Sequence, residues 1–511
     1  MTRHRQHGES TSMNANIQTI DIEAKSIGKL NHSFQLQQEA FFKDSYPSLK
    51  ERIHRLELLK NMFIKNRDKM HEAMQADFGN HPTISTDLLE IGSVFGRIEY
   101  VVKNLKQWMK PDARPLSPIF GNSEAYVLPH PKGVVGVMSP WNFPIQLACG
   151  PLVDVLAAGN RAILKPSEVT PNCAKLLEDM IAETFDESLV TTAIGGVSLA
   201  EHFSTLRWDH MLYTGNAHIA RKVMANCAQN LVPVTLELGG KSPAIVGRSK
   251  VDTNTAKYIS GAKATKRGQV CINVDYCLVP EENLVNFIEL MEQEFTKLGA
   301  DNAANDVCSI VNERHYDRLS ELLAEARELG CETIQMGEES SREVRNMPFT
   351  LVMNPPKNSR IMKEEIFGPL LPIITYKHID NAIEHVNLGE KPLGIYVFSK
   401  DQNEIDHVSM NTRSGGVAIN CVGGQVQPQI GFGGVGESGM GRHRGEEGFK
   451  EFSNPRGYMK AGTWGLFDSM LPPYGPGTQQ LVDTLFGTPI DKLKMLGSLA
   501  KNNLTSRLGR R

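Results

Sequence analysis

The sequence predicts an α/β fold made of two doubly wound parallel-sheet domains, and three observations predict it. Short apolar runs at 134–138, 161–165, 191–194, 210–213 and 234–238 read as strands, separated by helical stretches such as 146–158 and 174–184. Strands alternating with helices build a parallel sheet covered on both faces. Gly239-Gly240 then breaks the pattern, which restarts with 244–246, a helix near 254–265, and runs at 274–279, 349–353, 395–398 and 417–420. Two blocks meeting at 238–240 place a cleft at the strand ends, where such sheets bind ligands.

The flanking elements follow in order. Residues 1–29 are polar and His-rich at their start, which predicts a mobile tail to about residue 30. Ser48-Leu49-Lys50-Glu51 has the capping-box pattern that opens a helix. Ile53, Leu56, Leu59, Met62 and Phe63 recur at helical spacing behind it, and Gly79 is the expected stop. A second apolar stripe runs from Leu88 to Trp108 and ends at Pro111; both stripes read as core packing. Residues 111–131 are extended and punctuated by proline, the pattern of a hairpin or arm.

Composition sets the class. Of 511 residues, 40% are hydrophobic and 22% charged, and the net charge is −3, which gives no electrostatic footprint for nucleic acid. The eight cysteines are scattered without a Cys-x-x-Cys pair, which argues against a zinc site or disulfide framework and for a reducing, cytoplasmic setting. No run approaches the ~18 apolar residues of a membrane span. Leu481–Phe486 and 493–499 are short apolar stretches followed by Arg507, Arg510 and Arg511. They read either as packing on a partner subunit or as a basic amphipathic helix touching a membrane surface.

Several motifs carry chemistry. Glu237 stands between Leu236 and Leu238, where a carboxylate is costly unless it is paired or used. Gly268-Gln269-Val270-Cys271 puts a thiol in a Gly-led turn, and thiol plus carboxylate would make a nucleophile with a water-activating base. Lys266 and Arg267 precede it, and nearby cations favour thiolate, although a free cysteine also serves as a small buried hydrophobe. In Pro140-Trp141-Asn142-Phe143-Pro144 the Asn142 amide either aims at a developing oxyanion or caps its own backbone. Lys165 and Glu168 follow the second strand, as a phosphate partner and a ribose partner or as a solvated turn. The Tyr213-Thr214-Gly215 turn opens a helix whose N–H groups could face an anion. Glu365 and Phe367, in Glu364-Glu365-Ile366-Phe367-Gly368-Pro369, add a second carboxylate and an aromatic ring, or simply a helix end.

Taken together and in this order, these motifs and the run from Phe432 to Gly441 resemble the aldehyde dehydrogenase family, over about residues 53–452. The Gly-Met-Gly ending and Val274-Asp275-Tyr276 resemble its class-three-like branch, and Pro472-Pro473-Tyr474-Gly475 adds a likeness to the bacterial coniferyl aldehyde dehydrogenase group.

The resemblance implies an aldehyde dehydrogenase-like fold: a tail over 1–30, an NAD(P)-binding domain over 31–238 interrupted by an arm at 118–132, and a catalytic domain over 239–424. Residues 425–511 would supply a β oligomerisation arm, return segment and tail. It implies oxidation of an aldehyde to the acid, with Cys271 as nucleophile, Glu237 as base and Asn142 at the oxyanion. Trp141, Lys165, Glu168, Gly215, Glu365 and Phe367 would hold the cofactor, NAD with NADP as the alternative. No metal, nucleic acid or transmembrane segment is implied; a homodimer is. The aldehyde would be aromatic, like coniferaldehyde, or aliphatic of medium to long chain. Transfer of the thioester to coenzyme A is the competing chemistry, and Glu237 argues against it because a water-activating base would waste the thioester. Three departures from the family pattern stand out: Ala220 for a glycine of the phosphate turn, Lys266-Arg267 before Gly268, and a polar 425–430 stretch expected near the substrate entrance. Lys266 and Arg267, if they point inward, would lower the Cys271 pKa.

Overall fold

The computed structural model describes residues 5–298, 307–337, 339–465, 470–490, 493–494 and 497, with side chains from residue 23 onward. A helix spans Arg5–Lys43, through positions where the sequence predicted a tail. Ile27, Leu30 and Phe34 on it join the core of the first large sheet, so apolar spacing rather than overall polarity decides this segment. Ser48 caps the next helix by accepting the Glu51 N–H. The single helix expected up to Gly79 is two, Leu49–Lys65 and Arg67–Phe78, interrupted at Asn66. The second stripe begins with a π-helical turn, Thr86–Gly92, that buries Glu90, and continues as Ser93–Trp108.

Two strands follow, β1 (Asp112–Arg114) and β2 (Glu124–Pro131). The first large sheet then begins with β3 (Val134–Met138), β4 (Arg161–Lys165), β5 (Val190–Thr192), β6 (His210–Thr214) and β7 (Val234–Glu237). These strands are parallel, and every residue of β3, β4 and β6 is buried, as expected for strands covered on both faces. The second large sheet contains β8 (Pro243–Val246), β9 (Tyr276–Pro280), β10 (Thr333–Met336), β11 (Phe349–Met353), β12 (Leu370–Tyr376), β13 (Gly394–Phe398) and β14 (Gly416–Ile419). Its order is β10-β11-β12-β9-β8-β13-β14, parallel except at the β10 edge. Sequence reading missed β10 and β12. Gln335 interrupts the apolar pattern in the first, and Gly368-Pro369 before the second reads as a helix end.

The last strand of the first sheet arrives late. β15 (Gly439–Met440) lies antiparallel to β7, giving the order β15-β7-β6-β3-β4-β5, with Gly439 opposite Glu237. Gly439 has φ 142°, and a Cβ there would sit 2.1 Å from the Leu236 carbonyl, so only glycine lets this strand close on β7. Residues 439–440 therefore return to the first sheet, and 425–452 fall in the same compact unit as the two large sheets rather than with the arm.

A separate compact unit is formed by the described residues of Lys106–His130 and Ser453–Arg511. Its sheet has the order β1-β2-β16, where β16 spans Ser453–Lys460, and Tyr126 stacks on Tyr458 at 4.9 Å. A helix over Pro476–Phe486 buries Leu481 and exposes Phe486. Most of 493–499, and Arg507, Arg510 and Arg511, lie outside the described residues. Among the described residues no helix is long and apolar enough to cross a membrane.

The turn before Cys271 is held by a fully buried ion pair, Lys266 Nζ to Glu90 at 3.2 Å. Lys266 (φ 48°), Arg267 (φ 51°) and Gly268 (φ 77°) are all left-handed, a conformation costing non-glycine residues of order 1–3 kcal/mol each. Lys266 lies 4.5 Å over the rings of both Phe78 and Phe143 and donates to the Asn142 carbonyl; Arg267 donates to the carbonyls of Cys308 and Met347. Replacing Lys266 by Met strands the Glu90 charge and should destabilise the protein by about 3–5 kcal/mol. The check is urea unfolding, with the Lys266→Met/Glu90→Gln double variant recovering much of the loss.

Candidate active site

Glu237 ends β7 and is 3% exposed, and neither carboxylate oxygen has a hydrogen-bond partner. Its backbone is fixed on both sides: Gly215 N–H donates to the Glu237 carbonyl at 3.0 Å, and the next residue, Leu238, donates to Ser438 O at 3.0 Å. Burial raises the carboxyl well above the usual range, against the opposing charges of Arg444, Arg442 and Arg97.

Cys271 sits at a partly exposed position in the turn after Gly268. Its thiol is pushed up to about 12, first by burial and then by the charges of Glu365 and Glu237; Arg444 acts in the opposite direction. Lys266 and Arg267 do not supply that cation, contrary to the sequence expectation. Both turn away from the thiol, one to Glu90 and the other to backbone carbonyls. The loop itself is stitched by Gln269, whose Nε2 donates to Ser309 O at 3.0 Å and whose Oε1 accepts from Val311 N–H at 2.9 Å. Tyr396 donates to the Ile272 carbonyl beside the thiol and accepts from Gln425 Nε2 at 3.2 Å. Gln425 is thus a buried support of the loop, not an entrance residue.

Asn142 is 2% exposed and its Nδ2 donates to the Gln269 carbonyl at 3.1 Å. It is brought to the thiol loop as a side-chain donor and does not cap its own turn. Glu365 is brought there too, held by the Gly240 backbone N–H and shifted up to about 8 by burial and by Asp275. The loop carrying it is tied by Asp275, which pairs with Lys241 and accepts from Ile366 N–H at 2.9 Å. Phe367 meets Trp141 edge-on with centroids 5.3 Å apart, and His315 packs on the other contact of the indole at 4.8 Å.

The remaining predicted residues gather at the carboxyl ends of β4 and β6. Lys165, 2% exposed, donates to Glu168 at 3.0 Å and to Pro166 O at 3.1 Å. Burial opposes ionisation of Glu168, but Lys165, the Glu168 N–H and Arg314 together hold the carboxyl below its usual range. The Gly215 N–H is already spent on Glu237, and Asn216 Oδ1 caps Ile219 N–H, so Gly215 offers no amide to an anion. The sheet end nevertheless suits a polar ligand: Ser139 Oγ after β3 and Thr214 Oγ1 in β6 are both buried without a partner. Buried polar atoms are normally satisfied, so this edge has unused capacity for the hydroxyls and phosphates of a dinucleotide.

Sequence reading missed His443, Arg97 and Asp154, which lie behind Glu237. The signal was there: Arg97 interrupts an apolar stripe, and Asp154 is the single charge in Gln146–Ala158, a helix buried throughout.

The aldehyde dehydrogenase family model matches residues 17–457. A protein from Pseudomonas aeruginosa described as "Probable coniferyl aldehyde dehydrogenase" is 39% identical over 479 residues, 93% of this chain and all of that protein. The structure "Substrate bound state of Staphylococcus Aureus AldH" superposes with a TM-score of 0.84 at 32% identity, covering 89% of this chain and 99% of that one. A Mycobacterium tuberculosis aldehyde dehydrogenase complexed with NAD+ gives 0.76 at 25% identity, over 84% and 89% of the two chains. The chain belongs to the aldehyde dehydrogenase family.

Proposed function

We propose that the protein oxidises an aromatic aldehyde of the coniferaldehyde type to its carboxylic acid, with NAD or NADP as acceptor. The observation that carries the catalytic assignment is Glu237, an unpartnered buried carboxylate whose charge is felt at the Cys271 thiol. The aromatic substrate class rests on the 39% identity to the Pseudomonas aeruginosa coniferyl enzyme.

In this reading Cys271 gives its S–H proton to water, and the sulfur attacks the aldehyde carbon to give a thiohemiacetal. The oxyanion accepts hydrogen bonds from Asn142 Nδ2 and the Cys271 N–H, donors already held beside the loop. NAD(P)+, when bound, would supply the hydride acceptor for oxidation at this carbon to the thioester. Glu237 then takes a proton from water as the water oxygen attacks the acyl carbon; the C–S bond breaks, releasing the acid and the Cys271 thiolate. Because burial raises Glu237, its working carboxylate form is populated only as pH rises, so turnover has an acidic limb. Lys165 and Glu168 would hold the adenine-side ribose, and Glu365 and Phe367 the nicotinamide side, with Trp141 against Phe367. Gly215 would serve by pinning the end of β7. The scattered free thiols support a cytoplasmic setting, and the β1-β2-β16 sheet, with β16 largely exposed, supports assembly as a homodimer.

Three measurements test this reading. Cys271→Ala should abolish aldehyde-dependent NADH formation, whereas Glu237→Gln should keep a first-turnover burst and lose about 10²–10⁴-fold in steady-state turnover; unchanged turnover in either sinks the mechanism. A panel of aromatic and aliphatic aldehydes with both cofactors should favour aromatic substrates in kcat/KM. Within that panel, Glu168→Gln should raise the NADP-to-NAD ratio, because the carboxylate repels a 2′-phosphate; an unmoved ratio removes Glu168 from cofactor choice. Light scattering on the purified chain should give twice the chain mass, and a monomer overturns the assembly.

A further inference from the structure

Behind Glu237 runs a line of buried polar side chains that the reaction as written does not use. Asp154 is fully buried in the helix Gln146–Ala158 and pairs with Arg97, which is 3% exposed. Arg97 Nε donates to Asp154 Oδ1 at 3.1 Å, and its Nη2 reaches His443 Nδ1 at 2.8 Å. His443 is 1% exposed, and its Nε2 lies 3.7 Å from Glu237 Oε1. The backbone of His443 is clamped by a reciprocal bridge to Phe432, with N···O distances of 2.7 and 2.8 Å, and its ring meets the Phe432 ring edge-on. Arg444 N–H also donates to Asp154, at 2.7 Å, so both neighbours of the imidazole are anchored to one carboxylate.

The chemistry of this line fixes the imidazole tautomer. A guanidinium only donates, so His443 Nδ1 must be the bare, accepting nitrogen, and the proton is on Nε2, facing Glu237. Burial and the charges of Arg97 and Arg444 keep the ring neutral, well below its ordinary range. It is a fixed donor that cannot take a proton from Glu237 without losing Arg97. The 3.7 Å separation is just beyond hydrogen-bond length, as contacts around catalytic bases often are before substrate binds.

We propose that His443 is a positioning residue for Glu237: a neutral imidazole, its tautomer set by the Arg97–Asp154 pair, that presents its Nε2 proton to the carboxylate and orients it for water activation. This rests on the reading of Glu237 as the base. A donor to the ionised form favours that form, so His443 moves the acidic limb of turnover toward lower pH. The other groups acting on Glu237 are Arg442, Arg444 and Arg97, which also favour ionisation, and Glu451, which opposes it.

Two substitutions separate donation from packing. His443→Gln keeps an N–H at about the place of Nε2. His443→Asn can still accept from Arg97 but falls short of Glu237. His443→Asn should shift the acidic limb of kcat up by about one pH unit or more. It should keep the first-turnover NADH burst, and His443→Gln should keep the parent profile. An unmoved limb in His443→Asn, equal shifts in both variants, or loss of the burst in His443→Asn would each overturn the proposal. Glu237→Gln is measured alongside. If it keeps steady-state turnover, the base assignment itself falls; if it stops after the burst while the His443→Asn limb stays put, only the role of His443 falls.

Discussion

Everything at the site depends on keeping one carboxylate dry and unpaired at the end of a strand. A buried acid of this kind is expensive, and the fold holds it through main chain rather than through a partner for its oxygens. β6 fixes Glu237 from one side through Gly215, and the returning β15 fixes the strand from the other, with Leu238 donating to Ser438. The carboxylate is left to the field of Arg97, Arg442 and Arg444. Strongly shifted acids in such settings are a recurring mark of catalytic sites, and here the mark agrees with membership of the family.

The loop that carries Cys271 solves a different problem. Three successive left-handed residues before Gln269 aim the chain toward the cleft, and two of them carry long cationic side chains. Those cations are consumed by the scaffold, Lys266 by Glu90 and two aromatic faces, Arg267 by carbonyls. Their charge therefore supports a strained turn instead of the thiol. The cation that does act on Cys271 is Arg444, contributed by the segment that returns after the second sheet.

Much of this was legible in the sequence, and the failures have physical causes. Strands β3, β4 and β11 were read to the residue, because continuous apolar runs flanked by turn residues admit little else. Asn142, Cys271, Glu237 and Glu365 were singled out by residue type, context and family resemblance, and the fold brings them around one loop. The N-terminal helix escaped because its polar composition hides the few apolar residues, Ile27, Leu30 and Phe34, that touch the core. The direction of Lys266 escaped because φ values and an ion-pair partner 176 residues away leave no local trace. Gly215 was read as an amide for phosphate, while its N–H is used within the sheet. Pairings across the chain, such as Arg97 with His443, are set by topology, and one-dimensional spacing does not encode them.

The late arrival of β15 also has a consequence for biosynthesis. A nascent chain carries both Cys271 and Glu237 long before residues 439–440 leave the ribosome, because six of the seven strands of the second sheet, β9 to β14, are made in between. Until then β7 is a sheet edge with unsatisfied backbone groups, the kind of surface that recruits strands from other chains. Closure of that edge also delivers Arg442 and Arg444, whose charges act on Glu237. An unfinished chain therefore carries Cys271 and Glu237 before the strand that completes their surroundings.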